Sequence, residues 1–446
     1  MRRLPQQNES IMSDTVNPAD EPSLFAIDGG AGGLTPEQLE GAVDRVAKEW
    51  VTNAGIKRLL ILPPDHTRLY SQAGKITAML WDRLNESVEI DILPALGTHH
   101  AMKPEQLRMM FGDTIPLERF IPHDWRNDLE ELGVIPGERL AELSGGAMTD
   151  EVRVAVNKRI VSGEYDLTLS IGQVVPHEVI GFANHSKNVC IGCGGGGMLH
   201  QSHFLGAACG IEDVLGVADT PVRALMDQGF YDFVRPKADV RFVLTVVADS
   251  PKGPTLTSIT AGAGKECFQW AAKLAGERNL TKVDRPLTRT VVYLDPREFT
   301  STWLGNKAVY RTRKAMADNG ELIVLAPNVD TFGEDPTIDK LIRRHGYCGT
   351  PATLQALKDD PELAGNLSAA AHLIHGSSED RFSITYCTGD GLTAEEITSV
   401  GFKHRPYEEA AAAFGLSDKL TDGWHDGSDG EPFYFIRNPA LGLWTV

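Results

Sequence analysis

No apolar run in this sequence approaches the ~20 residues that a membrane-spanning helix needs, so a helical membrane anchor is not expected. Cysteine is scarce. The six residues Cys190, Cys193, Cys209, Cys267, Cys348 and Cys387 are spread through 446 positions, which argues against a disulfide framework and fits a reducing cytoplasm. Cys190 and Cys193 make a single C-x-x-C, and no second pair completes the four ligands of a structural zinc site. They read as structural thiols ahead of redox or metal ligands. Basic residues are outnumbered, 43 against 61 acidic, for a net charge of -18. That balance argues against nucleic acid or an anionic membrane as the main partner, and an anionic substrate would need a local basic pocket. No internal repeat or low-complexity segment stands out. Residues 1–22 lack both apolar periodicity and the apolar core of a secretory signal, and read as a disordered tail with Met12 as an alternative start.

What is present is the composition of a soluble globular protein, 42% hydrophobic and 23% charged, in a chain long enough for two or three domains. Thr35-Pro36-Glu37-Gln38 spells a helix start with a capping box. Apolar runs at Arg58 to Pro63, Val88 to Leu96, Leu167 to Val175 and Val240 to Ala248 read as buried strands. Helical spacing is expected over 71–86, 103–111, 150–161, 206–229 and 264–276, with 112–146 irregular. A second alternating region has strands at Thr290–Leu294, Glu321–Ala326 and Phe382–Tyr386, with helices at 305–317, 337–345, 351–375 and 392–400. The fold class that follows is α/β: two α/β domains with mainly parallel sheets and the active site in the cleft between them. The expected division is a tail at 1–22, an N-terminal domain at 23–277, a linker at 278–286 and a C-terminal domain at 287–420. A C-terminal segment at 421–446 would be free to pack back on the N-terminal domain.

Three of these strands run straight into polar residues: Asp65 and Arg68, then His99 and His100, then His177. In an open parallel sheet such ends share one rim, where ligands bind. A loop follows with Lys187, glycines from Gly194 to Gly197, and His200 and His203. The rim offers His99 and His177 as acid/base groups, Lys187 as an attachment point, and His200 or His203 as a metal ligand. Arg68, Arg311 and Lys314 are candidate anion binders. Each also has a plain reading: solvated surface histidines, or a basic helix face. Taken together they point to an enzyme for a small anionic substrate. A zinc-dependent hydrolase and a non-catalytic cofactor or metal carrier remain open beside it.

The pattern Asp65-His66-Thr67-Arg68, Gly97-Thr98-His99, Pro176-His177 with Lys187 after nine further residues, and the later His203 resembles the nickel-dependent lactate racemase family. The resemblance covers about Leu59 to Ala326. It implies a nickel pincer nucleotide covalently attached to Lys187, with His203 as the nickel ligand and His99 and His177 as acid/base histidines. Asp65, His66, Thr67 and Arg68 would contact cofactor or substrate, Arg68 with the substrate as well. Tyr310 would contact the cofactor, and Arg311 and Lys314 would hold the substrate carboxylate. The implied reaction inverts C2 of a 2-hydroxy acid by reversible hydride transfer. Cofactor-building enzymes would be transient partners. The chain departs from the family pattern at Arg311, which stands in place of glutamine, at His100, and in Ala183-Asn184-His185-Ser186 before the lysine. Arg311 suggests larger or more polar substrates than lactate, malate included.

Overall fold

The computed structural model describes residues 24–248, 250, 253–440 and 442–446; the expected tail at 1–22 lies outside the described residues. Its framework is two six-stranded sheets. The first has the order Phe25–Asp28, Thr255–Gly262, Val240–Ala248, Leu167–Gln173, Arg58–Leu62, Glu89–Ile92. The last four of these strands are parallel, and the first two join antiparallel at the edge. Leu59 to Leu62 and Leu167 to Gly172 are buried on both faces, as a run without alternation requires of a central parallel strand. The helices Pro36–Arg45, Ala73–Leu84 and Pro104–Phe111 cover one face. The first of them carries the expected capping box between Thr35 and Gln38.

The second sheet has the order Lys403–His404, Ser383–Thr388, Met316–Ala326, Leu287–Tyr293, Pro432–Ile436, Gly423–Asp426. Its strands are parallel except for the last pair. One apolar core runs from the other face of the first sheet into the second lobe, joining Leu60 and Phe242 to Val292 and Tyr386. The helix Gly196–Cys209 of the first lobe packs on Leu367–His375 of the second. Among the described residues no helix is long and apolar enough to cross a membrane.

Several expectations are corrected. Residues 152–157 are a strand and not part of a helix: Val152, Val154 and Val156 are buried while Arg153 is exposed, a period of two, and the strand pairs antiparallel with Leu129–Ile135. The 112–146 stretch therefore contains a strand, and the helix Gly137–Leu143 follows it. The helix expected at 305–317 ends at Thr312, because Met316–Ala326 is already strand. The expected linker begins inside the helix Lys265–Asn279, and its Leu280–Lys282 pairs with Leu443–Thr445. The segment 421–446 is not separate from the C-terminal sheet, since it supplies two of that sheet's strands. Its end reaches the first lobe, where Leu443 packs with Ile211 and Leu215 beside Tyr310.

One turn fixes the loop that carries His177. Pro176–His177 pairs with Gly181–Phe182, and Gly181 has φ +90° with its carbonyl bonded to Gly216 N–H at 3.0 Å. A Cβ at Gly181 would lie 1.8 Å from the Val217 carbonyl oxygen. Gly181→Ala is expected to cost at least about 1–2 kcal/mol from the left-handed conformation alone, with the clash added. A lowered urea midpoint would show it.

Candidate functional site

The parallel register brings the strand ends together. Beyond the paired residues of Arg58–Leu62 and Glu89–Ile92, Pro64 still bridges Ala95, so Asp65 lies beside the turn Gly97-Thr98-His99. A cleft of about 620 Å³ opens there, between the lobes. Asp65, Thr67, Arg68, His99, Lys187 and His203 line it on one side, and Trp303, Asp335, Asn366 and Ser368 on the other.

Asp65 is nearly buried, at 4% exposure. Its Oδ1 accepts from Thr67 N–H at 3.0 Å and from the Thr67 hydroxyl at 2.5 Å, and its Oδ2 meets His99 Nδ1 at 2.5 Å. Burial works to raise the Asp65 pKa, but the hydrogen bonds from His99 and Thr67 outweigh it, and the group is held below the usual carboxylate range. An ionised Asp65 makes Nδ1 of His99 the donor and leaves Nε2 with its lone pair.

Lys187 sits at the start of the wide helical turn Asn188–Gly192. Asn188 ties that turn to the sheet, donating to the Leu62 carbonyl at 3.0 Å and to Ser170 Oγ at 2.9 Å. The approach is pinned by Arg223, a buried guanidinium bonded to the carbonyls of Phe182 and Asn184 and to Ser186 Oγ. Asn184 and His185 both take positive φ, +68° and +59°, which turns the chain so that Lys187 reaches the cleft while His185 packs against Phe242 and Phe268. The Lys187 amine has no hydrogen-bond or ion-pair partner among the described residues. Burial, then the charge of Arg68, lowers its pKa to about 8.

His203 lies on the helix Gly196–Cys209, not on the expected glycine loop, because the second half of the glycine run, Gly196 and Gly197, already opens that helix. Its Nδ1 donates to the Leu199 carbonyl at 2.7 Å, which leaves Nε2 with a lone pair. Burial, and then Lys187, pushes its pKa down to about 4, so the ring is neutral at pH 7. A neutral imidazole oriented through its other nitrogen is a competent metal ligand. His200 also lines the cleft, with Nδ1 3.4 Å from Ser368 Oγ across the lobes.

Other expected residues stand outside the cleft wall. His66 turns to Gln106, with Nε2 and Nε2 2.8 Å apart. His177 is not among the residues that line this cleft, although it faces the lining residues Lys187 and His203, and its Nδ1 accepts from Val179 N–H at 3.1 Å. Burial first, and then Lys187, His203 and Arg311, hold its pKa well below the ordinary histidine value despite the opposing pull of Glu178. Tyr310 is packed with Ile211, Leu215 and Leu443. The expected clamp of Arg311 and Lys314 is not formed. The helix ends between them, and Lys314 Nζ donates to the Leu215 carbonyl at 2.9 Å. Arg311 is buried, donates to the Gly442 carbonyl at 3.3 Å, and lies 4.0 Å from Glu178 Oε2. An internal glutamate thus faces it, which weakens the basis for reading Arg311 as a second-carboxylate binder. The sequence reading missed Glu178, Asn188, Arg223, Trp125, Arg126 and Trp303. Glu178 alone had a local signal, an acid directly after a candidate histidine.

Residues 38–211 match the family model described as the lactate racemase N-terminal domain. This part of the chain is similar to that domain. The match spans Asp65, His99, His177, Lys187 and His203. Two solved structures share the fold over nearly the whole length. A protein from Thermotoga maritima is 22% identical, with a TM-score of 0.77 over 94% of this chain and 99% of that one. The lactate racemase apoprotein from Thermoanaerobacterium thermosaccharolyticum is 17% identical, with a TM-score of 0.66 over 92% and 93%. No curated protein sequence matches. The lactate racemase-type domain therefore sits in a two-lobed frame of the same kind as these structures.

Proposed function

We propose that this chain is a racemase or epimerase that inverts C2 of a 2-hydroxy acid and works with a nickel pincer nucleotide joined to Lys187. The observation that carries the reading is the combination on one cleft of an unpartnered lysine amine, a neutral histidine with a free Nε2, and a carboxylate-anchored histidine base. The residues fit the group: Lys187 would hold it and His203 would give its nickel a nitrogen ligand. When bound, it supplies an acceptor for the C2 hydride.

The chain's own residues do the rest. His99 takes the hydroxyl proton at Nε2, and the imidazolium that forms is stabilised by Asp65. His177 serves as the acid/base on the opposite face. Arg68 and Arg126 are the guanidiniums of the cleft, Arg126 stacked on Trp125 at 3.7 Å, and Arg68 is the group for the substrate carboxylate. A bound carboxylate limits the substrate's freedom to exchange at C2.

Two alternatives are weaker. Among the described residues no three His, Cys, Asp or Glu side chains converge to hold a metal, whereas a catalytic zinc site needs three. A non-catalytic carrier would have no use for the Asp65–His99 pair. The deciding experiment is protein made together with the cofactor-building enzymes, examined by intact mass, nickel content and a chiral assay on a panel of 2-hydroxy acids. The reading expects added mass, nickel and racemisation. Nickel without turnover would make the protein a carrier, and zinc-dependent hydrolysis would make it a hydrolase.

The pairing of Arg311 with Glu178 sets a further expectation. Arg311→Gln should change kcat/KM for lactate and malate by the same factor, because the guanidinium faces an internal glutamate. A loss confined to malate would mean that Arg311 leaves Glu178 to grip a second carboxylate.

A further inference from the structure

A histidine that passes a proton through Nε2 must carry a proton on Nδ1 both before and after the transfer. As imidazolium it holds both protons; as the neutral base it holds Nδ1–H and a bare Nε2. Some acceptor must receive Nδ1–H in both states. His99 meets this condition, since Asp65 Oδ2 is 2.5 Å from its Nδ1. His177 does not. Its Nδ1 accepts from Val179 N–H at 3.1 Å, which fixes the Nε2–H tautomer. In that state the ring can neither accept a proton at Nε2 nor give one up without becoming an anion.

The nearest acceptor is the next residue. Glu178 Oε2 is 3.8 Å from His177 Nδ1, too far for a hydrogen bond but within reach of a side-chain rotation. On its other side the same oxygen lies 4.0 Å from Arg311 Nη2, which comes from the second lobe and is anchored on the Gly442 carbonyl. Glu178 is poised between the histidine and the guanidinium and fully engages neither. The other charged or titratable groups that face His177 are Lys187, His203 and Arg311; the two cations cannot accept Nδ1–H, and the free Nε2 of His203 is the nitrogen assigned to the metal.

We propose that Glu178 is the positioning carboxylate of His177, the counterpart of Asp65 for His99, and that Arg311 holds it across the lobe boundary in the resting state. The inference rests on the racemase reading for its catalytic meaning. In the working state Glu178 accepts Nδ1–H, the Val179 bond is released, and Nε2 is free to exchange a proton with the substrate oxygen. On entering the working state the resting Nε2–H ring takes one proton from solvent at Nδ1, which Glu178 then holds. In the proton transfers of a turnover His99 takes the substrate hydroxyl proton at Nε2, His177 returns one from Nε2 to the substrate oxygen and is left as neutral Nδ1–H, and the protein's proton count over the turnover is unchanged. The arrangement also explains why arginine stands where the family pattern has glutamine: a glutamate beside the histidine calls for a cation.

The test reads the tautomer directly, in protein without cofactor. Histidine labelled with nitrogen-15 distinguishes Nδ1–H from Nε2–H, and His177→Gln identifies the His177 signals. The parent should show Nε2–H at pH 7. Arg311→Gln should release Glu178 and raise the Nδ1–H population, and Arg311→Gln combined with Glu178→Gln should return it toward the parent. In loaded enzyme, Glu178→Gln should lower kcat about 10-fold or more, the effect of one or more pKa units of lost imidazolium stabilisation, with a smaller change in KM. Glu178→Asp should recover part of the loss. An Nδ1–H population that does not respond to Arg311→Gln would overturn the proposal, and that variant decides it even if Glu178→Gln fails to fold. So would equal losses in kcat for Glu178→Asp and Glu178→Gln. A tautomer shift in a protein that racemises no 2-hydroxy acid would leave the pairing intact and overturn the racemase reading.

Discussion

Lys187→Ala protein made alongside the cofactor-building enzymes should gain no mass, retain no stoichiometric nickel and show only background racemisation. Lys187→Arg should behave the same way, because a guanidinium keeps the charge but cannot form the amide-type bond through which a pincer group would be joined. The expectation rests on the state of the amine. Burial first, and Arg68 second, lower its pKa to about 8. At pH 7 about one such amine in ten is neutral, against about one in several thousand for an ordinary lysine. A neutral amine is the nucleophile. The sign can be checked without any cofactor. In unloaded protein an amine-acylating reagent should label Lys187 ahead of surface lysines, with a rate that rises through pH 8 and then levels off. Modification at a different lysine in loaded protein would displace the assignment. Labelling at Lys187 that climbs until about pH 10 would mean that the cleft does not lower its pKa.

The strands of the first sheet were legible because burial on both faces leaves a run such as Leu59 to Leu62 with no alternative. Their polar ends were legible for the same reason: chain leaving a buried strand enters the rim. Asp65, Arg68, His99, Lys187 and His203 all line one cleft, and the parallel register puts them there. For residues 150–161 the strand signal was present, the period of two at Val152, Val154 and Val156, and the helix reading passed over it; only the antiparallel partner Leu129–Ile135 is set by tertiary pairing. Arg311 and Lys314 were given a shared helical face by their spacing, but the helix stops at Thr312, and the two cations find a glutamate and a carbonyl on the other lobe instead. Spacing fixes which residues share an element; the occupant of a buried cation comes from elements far away in the chain. Arg223 shows this most clearly, because no local signal links it to the loop at 182–186 that it pins.

Asp65→Asn is expected to lower kcat/KM about 10²- to 10⁴-fold, the usual size of a general acid–base contribution, while leaving the fold and nickel content unchanged. The two oxygens of Asp65 have separate duties. Oδ1 receives both hydrogen bonds from Thr67, and Oδ2 receives His99 Nδ1–H. Asparagine has the same shape, so its carbonyl oxygen would stay with Thr67 and keep the turn after the strand. Its amide nitrogen would then face His99 and donate to Nδ1. That reverses the tautomer: Nε2 becomes N–H, and the base is lost although every heavy atom remains in place. The loss of negative charge adds to the effect, because the imidazolium formed on proton uptake no longer has a counterion. His99→Ala should lose a similar amount, and the double variant should lose little more than either single one, since the pair acts as a unit. A full additive loss would mean that Asp65 serves the cofactor or substrate independently of His99. Unchanged kcat/KM in Asp65→Asn, with melting temperature preserved, would remove His99 from the role of base and leave proton removal from the substrate hydroxyl to His177 alone.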